Sequence, residues 1–306
     1  KFGKNNRYGY FPAVSLAWNA SEENFIKKID AISNLKVRTS FGMTGNNQIP
    51  SYQSLAQIAK NKAVLNGNKI EIGRYPDNIA NDDLKWESQK QYNIGFDIAF
   101  LKNRYALSAE IYYKRIDDML LEVQIPSTSG FTKAWKNAGQ MENKGLEVSL
   151  NAQWLREGAF KWTTDFNISM YRNKILALDE GQYQHFYDRG IAYDKIQNDV
   201  LLRVGMPVGI YYGYISDGTF HNENEMLNSP PGPNKVLGGL KVVDTNHDGV
   251  IDSNDRVPIA NVNPLHTGGI GNTFSYKGIE LYTFLRWSYG NDVVNGNAYF
   301  LANTRS

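Results

Sequence analysis

The chain has 306 residues, of which 42% are hydrophobic, 13% are aromatic and 21% are charged. Its 33 basic and 31 acidic residues give a net charge of +2 without long runs of either sign, which argues against a nucleic-acid partner. The lack of cysteine excludes disulfides, thiolate catalysis and zinc–thiolate sites. No stretch approaches the roughly 18 consecutive apolar residues of a membrane-spanning helix. A membrane-spanning β-barrel is not excluded, because its strands are short and alternate between polar and apolar residues.

Alternating polar and apolar residues predict antiparallel strands along much of the chain. The eight predicted strands cover residues 10–18, 35–43, 92–100, 105–114, 145–154, 162–171, 266–276 and 279–289. Short turns separate the third strand from the fourth and the fifth from the sixth, so these pairs are expected to form tight hairpins.

The two hairpins separate charged from apolar surface. One face of each strand has no charged residue, whereas the opposite face carries Asp97, Glu110, Lys114, Glu147 and Asp165. This alternation predicts a sheet with an apolar side and a wetted side. We interpret the carboxylates as part of a wetted wall, because a catalytic pair needs a set separation in a desolvated cleft. Enzymatic activity and a required cofactor are therefore not expected.

The connectors between the predicted strands alternate in length. Long segments fall at 44–85, 120–142 and 174–265, and each follows an even-numbered strand, so all of them leave the same edge of the sheet. Outer-membrane barrels have this asymmetry, with short periplasmic turns and long extracellular loops. Aromatic residues near the strand ends fit the two rims of a bilayer, and they fit a soluble core equally well. The loop lengths favour the membrane interpretation.

Several sequence motifs add a family signature to the alternation. Residues 35–46 are LKVRTSFGMTGN and residues 205–214 are GMPVGIYYGY. Further motifs of the same kind lie at 11–18, 86–97, 117–121, 137–147, 244–256 and 275–278. In this order, the motifs resemble SusC-like (RagA-like) TonB-dependent outer-membrane transporters. The departures are small, with His247 where the family usually has Gly and Met206 where Gln is commoner.

The resemblance implies an all-β fold, namely a transmembrane antiparallel up-and-down barrel of 22 strands with a plugged lumen. About eight of those strands would lie in this sequence. We treat residues 1–306 as part of one barrel domain, with 174–265 as a long extracellular loop region within it. The plug and the first half of the barrel are expected to lie outside this sequence. The resemblance also implies coupling to the TonB complex, contact with outer-membrane lipid and a SusD-like surface lipoprotein over the loops.

One loop has the ligand spacing of a calcium site. The positions that match the EF-hand ladder are Asp244, Asn246, Asp248, Val250, Asp252 and Asp255. Gly249 occupies the sharp-turn position, but Asp255 is shorter than the usual Glu at the last position. The flanks are extended instead of helical. The alternative is a metal-free loop stabilised by hydrogen bonds between Asx side chains and the backbone.

Aromatic side chains in the long connectors are the candidates for ligand contact. These are Trp135, Tyr183, His185 and Tyr187. Their rings can stack on sugars or peptides, and the alternative is that they pack the loops together.

The sequence therefore predicts an outer-membrane active transporter that imports glycans or peptides and is energised through TonB. Two alternatives stay open, a passive porin and a soluble β-rich binding protein or adhesin. In the soluble alternative the apolar faces would point into a closed core.

Overall fold

The computed structural model describes residues 1–65, 69–179, 183–187, 200–233 and 235–295. The strands are β1 (Ala13–Asn19), β2 (Ile32–Asn46), β3 (Ile58–Leu65), β4 (Lys69–Pro76), β5 (Glu87–Phe100), β6 (Tyr105–Asp117), β7 (Leu120–Gln124), β8 (Lys133–Asn137), β9 (Gln140–Leu155), β10 (Phe160–Ala177), β11 (Gln184–Tyr187), β12 (Val200–Arg203), β13 (Ile210–Gly213), β14 (Ser216–Thr219), β15 (Leu240–Val242), β16 (Val257–Asn261), β17 (His266–Tyr276) and β18 (Ile279–Tyr289). Helical structure is limited to α1 (Glu223–Asn228) and to 3-10 turns at Ala20–Glu22, Ser127–Ser129 and Ser253–Asp255. Among the described residues, no helix has the length and hydrophobicity needed to cross a membrane.

The chain divides into two compact units, of which the first comprises Lys1–Tyr183 and Thr267–Trp287. It contains an eight-stranded sheet in the order β1-β2-β5-β6-β9-β10-β17-β18, which we call the main sheet. The strands follow one another in chain order, as an up-and-down architecture requires, and the paired registers that define β1 to β17 are antiparallel. The predicted all-β antiparallel fold and the eight predicted strands are confirmed, and the total of 22 strands stays a prediction.

The two ends of the main sheet differ. The end with the short connectors 20–31, 101–104, 156–159 and 277–278 is called the turn end, and the opposite end, with the connectors 47–86, 118–139 and 178–265, is called the loop end. Lys277 and Gly278 both have positive φ, 46° and 86°, which is the type I′ geometry that suits a two-residue hairpin. The strands continue further toward the loop end than alternation predicts.

The apolar side chains of the main sheet share one face, which we call the apolar face. Ile94 lies opposite Ile111, which lies opposite Leu146 on β9. Ile94 is 63% exposed and Ile111 is 62% exposed, so the described part of the chain places no second layer over them. A closed core built from these residues, as the soluble alternative predicts, is therefore not present in the described unit.

Short elements fill the connectors at the loop end of the first unit. β3 pairs with β4 and β7 pairs with β8, each as an antiparallel hairpin. Phe2, Ile49 and Leu84 form a small buried cluster, against which Leu120 of β7 and Trp135 of β8 pack. The loops of this unit thus carry their own apolar core.

The second unit contains the described residues from Gln184 to His266 and those after Trp287. It has a four-stranded sheet in the order β11-β12-β13-β16 and a separate β14–β15 pair. The side chain of Asn222 accepts a hydrogen bond from the Glu225 N–H at 2.8 Å and so caps α1.

Candidate functional site

Polar and small side chains alternate with the apolar ones along the strands and therefore lie on the other side of the main sheet, which we call the polar face. Arg38, Glu110 and Glu147 lie in one row across the strands, with Gly95 between Arg38 and Glu110. The charged residues that the sequence analysis assigned to a wetted side are thus brought together on one face.

Arg38 is the centre of a charged network on the polar face. Its Nε donates to Asp97 Oδ2 at 2.9 Å, and its Nη1 donates to Glu110 Oε2 at 2.6 Å. Ser108 Oγ donates to the other oxygen of Asp97 at 2.6 Å. Arg38 lies across Gly95, where a Cβ would come within 2.7 Å of the guanidinium carbon. A side chain at position 95 would therefore displace Arg38 from this position.

The network and its surroundings form a polar wall. All three ionised groups are partly open to solvent, with side chains between 27% and 37% exposed. Asn151 Nδ2 donates to Asp165 Oδ1 at 2.6 Å further along the same face. Each of the carboxylates Asp97, Glu110 and Asp165 has its own donor, which suits a hydrated surface that contacts polar solutes.

Aromatic side chains cover three glycines on the polar face. A Cβ on Gly145 would lie 2.3 Å from the ring of Tyr112, which is its cross-strand neighbour. Gly269 and Gly271 are covered in the same way by Phe284 and Tyr282 of the adjacent strand. Sequence reasoning missed these ring–glycine pairs, because the pairing depends on the register between strands.

Aromatic rings line both ends of the apolar face. At the turn end, the ring of Trp154 lies 5.6 Å from that of Tyr105 and 5.9 Å from that of Trp162. At the loop end, Tyr92 lies 4.8 Å from Phe41 and 6.4 Å from Tyr113. The indole N–H groups of Trp154 and Trp162 donate to Thr164 and Asn272. The arrangement is an exposed apolar band between two rings of amphipathic side chains.

The predicted ligand-contacting residues differ in their surroundings. Trp135 packs against the cluster of Phe2, Ile49 and Leu84, and its carbonyl oxygen accepts a hydrogen bond from Asn81. Tyr183 is 63% exposed. His185 and Tyr187 belong to β11, but their side chains lie outside the described part of the structure. Ligand contact by these four residues stays a prediction.

The Asp244–Asp255 loop is held by its own side chains. Asp244 accepts the N–H groups of His247 and Gly249, and Asp248 accepts that of Val250. Among the described residues, no group of three or more His, Cys, Asp or Glu side chains is arranged to hold a metal ion. These hydrogen bonds match the metal-free alternative. Calcium binding by Asp244, Asn246, Asp248, Val250, Asp252 and Asp255 stays a prediction.

Asp255 closes this loop from inside. Its side chain is fully buried, and its two carboxylate oxygens accept the N–H groups of Thr245 at 2.8 Å and Asp252 at 2.9 Å. The hydrogen bond from the Asp252 backbone lowers the pKa of Asp255 from its ordinary value, and that from Thr245 acts in the same direction. The last position of the motif therefore serves as a structural anchor.

Comparison with known proteins identifies the family of this chain. The family model described as "TonB dependent receptor-like, beta-barrel" matches residues 1–305. The chain belongs to the TonB-dependent receptor-like β-barrel family. The predicted resemblance to SusC-like and RagA-like receptors is confirmed.

Two curated members of the TonB-dependent receptor family illustrate the relationship. TonB-dependent receptor P3 of Formosa agariphila is 34% identical over 299 residues, which cover 96% of this chain and 29% of that protein. TonB-dependent receptor SusC of Bacteroides thetaiotaomicron is 30% identical over 306 residues, again 96% of this chain and 29% of that protein. The chain thus spans about 30% of the length of the curated receptors it matches.

The fold is shared with solved structures of a peptide importer. The RagAB peptide importer in its closed-closed state superimposes with a TM-score of 0.76 at 24% identity, covering 95% of this chain and 30% of that one. Its open-open state gives a TM-score of 0.75 at the same identity. The likeness is one of fold.

Proposed function

We propose that this chain forms part of the barrel wall and the extracellular loops of an outer-membrane active transporter that imports nutrients. The observation that carries the proposal is the pair of opposite faces of the main sheet. Ile94 and Ile111 are exposed on the apolar face, whereas Arg38, Asp97 and Glu110 form a partly exposed ionic network on the polar face. The wall of a transmembrane barrel has the same two faces, an apolar one toward lipid and a polar one toward the lumen.

The relatives support a proposal for the ligand class and the partners. One related structure is titled a peptide importer and another relative is named SusC, so we propose peptides or glycans as the imported nutrients. We further propose that TonB energises uptake and that a SusD-like surface lipoprotein covers the loops. In this proposal residues 174–265 belong to the extracellular loops, and the loop end faces the outside of the cell.

Uptake by cells that lack the receptor gene tests this function. Cells carrying the intact receptor should accumulate a labelled oligosaccharide or peptide mixture, and cells with the gene deleted should not. Deletion of tonB in the complemented strain should abolish uptake as well. A deletion strain complemented with an unrelated porin is the matched control.

Two results would contradict the proposal. Uptake that persists after deletion of tonB would indicate passive diffusion through a porin. Recovery of the intact protein in the soluble fraction, with no partition into detergent, would indicate a soluble binding protein.

A further inference from the structure

Basic residues cross the apolar face of the main sheet at the level of the loop-end aromatic ring and just beyond it. Lys144 lies opposite Tyr113, and Arg172 lies opposite Lys144 in the same row. Lys90 and Arg115 lie opposite each other one step further toward the loop end. Lys174 lies in that outer row as well, opposite Glu142. We call the five basic residues of these two rows the cationic belt; they are Lys90, Arg115, Lys144, Arg172 and Lys174.

The belt keeps an excess of positive charge. The described carboxylates on the same rows and at the adjoining end of β6 are Glu142, Asp117 and Asp118, so five cations face three anions, and Asp118 pairs at 2.9 Å with Lys85, which lies outside the belt. Asp117 accepts from both Lys90 and Arg115, at 3.1 and 2.8 Å. Glu142 pairs with Lys144 at 3.2 Å. Asp117 and Glu142 thus orient Lys90, Arg115 and Lys144.

The belt is also accessible from outside the sheet. The side chain of Lys144 is 60% exposed, and Arg172 and Lys174 are exposed as well. The ammonium of Lys144 lies 5.8 Å from the centre of the Tyr113 ring. This contact holds the charge beside the aromatic ring, as expected where apolar surface meets headgroups.

The height of the belt matches the headgroup layer. Eight residues separate Tyr92 from Phe100 along β5, which is about 26 Å of strand and about 20 Å across a bilayer at a tilt of 35–45°. This span fits the roughly 25 Å apolar band of an outer-membrane barrel. The outer row of the belt is two residues beyond Tyr92, or about 5 Å higher.

We propose that the cationic belt binds the phosphate groups of anionic lipid headgroups in the outer leaflet. The guanidinium groups of Arg115 and Arg172 and the ammonium groups of the lysines carry the positive charges that attract phosphate oxygens. The belt lies on the apolar face, so a solute in the lumen does not meet it. The proposal rests on the orientation given under Proposed function, but lipid binding and nutrient uptake are measured separately.

Lipid titration of the intact receptor in detergent tests the proposal by native mass spectrometry. The probes are dioleoylphosphatidylglycerol and dioleoylphosphatidylcholine, which share acyl chains and differ in headgroup charge. The unmodified receptor should prefer the anionic lipid by at least about tenfold, since each cation near an anionic surface contributes about fivefold. The variant Lys144→Gln/Arg172→Gln/Lys174→Gln should lose most of this preference.

The matched control removes the same three charges elsewhere. Lys60, Lys62 and Arg74 are exposed on the β3–β4 hairpin, and the variant Lys60→Gln/Lys62→Gln/Arg74→Gln should keep the lipid preference. An equal loss in both variants would attribute binding to net charge and overturn the proposal. An unchanged preference in the belt variant would overturn it as well.

A second variant removes a negative charge from the belt instead of positive charges, and it tests the proposal if the triple variant does not assemble. Glu142→Gln removes an anion from the belt and should strengthen the preference for phosphatidylglycerol by about two- to fivefold. Heat-modifiable mobility in gels reports whether each barrel is folded. A folded Glu142→Gln receptor whose preference is unchanged or weaker would contradict the belt as the binding site.

Discussion

Arginine substitutions at two neighbouring residues, Val148 and Ser149, test most sharply whether the two faces of the main sheet have different surroundings. Val148 lies on the apolar face between Ala109 and Ile168, and Ser149 lies on the polar face between Ser108 and Asn167. The two positions are adjacent, so they have almost the same depth in the proposed bilayer. Val148→Arg should therefore be strongly destabilising and Ser149→Arg should be mild.

The magnitude follows from the depth of this row. Val148 is in the row of Phe96, midway between Tyr92 at the loop end and Phe100 at the turn end. Arginine on the lipid face costs about 2–4 kcal/mol at the bilayer midplane. A substitution at a surface position in contact with water changes the free energy of unfolding by about 0.5 kcal/mol or less. Ser149 faces polar neighbours, so its variant should fall in that smaller range.

The assay is urea unfolding of the intact receptor in phosphatidylcholine vesicles, followed by tryptophan fluorescence. The shift of the urea midpoint multiplied by the slope gives the change in the free energy of unfolding. Equal destabilisation by Val148→Arg and Ser149→Arg would refute the assignment of one face to lipid and the other to water.

Two further predictions concern a ring–glycine pair and the Asp244–Asp255 loop. Gly145→Ala should destabilise the barrel by about 1–3 kcal/mol in the same assay, because the new Cβ would lie 2.3 Å from Tyr112, whereas Gly42→Ala meets only an ordinary 3.7 Å contact and should be near neutral. The pKa of Asp255 is lowered in the folded loop, so its stabilisation is present above the ordinary value of about 4 and is lost as the pH falls below it. Hydrogen exchange of residues 244–256, corrected for intrinsic rates, should rise in that range, and Asp255→Asn should raise it already at neutral pH; an unchanged rate in this variant would contradict the anchoring role.

The main sheet was predictable because each strand has two different environments. Residues 92–100 alternate strictly, and a period of two fixes which side chains share a face once the chain is extended. The strand ends were less predictable. Lys90 and Arg115 interrupt the apolar side of the pattern, so β5 and β6 were expected to stop short of the loop end, although the ladder continues to Glu87 and Asp117.

Features that depend on register between strands escaped the sequence. The contact of Arg38 with Asp97 and Glu110 joins three strands, and the cover of Gly145 by Tyr112 joins two. The short strands in the long connectors escaped for a different reason. Strands of four or five residues, such as β7 and β12, carry too few alternations to stand out from loop sequence.

The orientation of the two faces can be measured directly with thiol-specific labels on the intact receptor. This chain has no cysteine, and any cysteine elsewhere in the receptor is first replaced by serine. Ile94→Cys and Asn93→Cys place a nitroxide on adjacent residues of β5, one on the apolar face and one on the polar face. In vesicles, the label at 94 should be relaxed mainly by oxygen dissolved in lipid, and the label at 93 mainly by a water-soluble nickel chelate. Relaxation of both labels by the chelate alone, or of neither label by either agent, would contradict a wall between lipid and a wetted lumen.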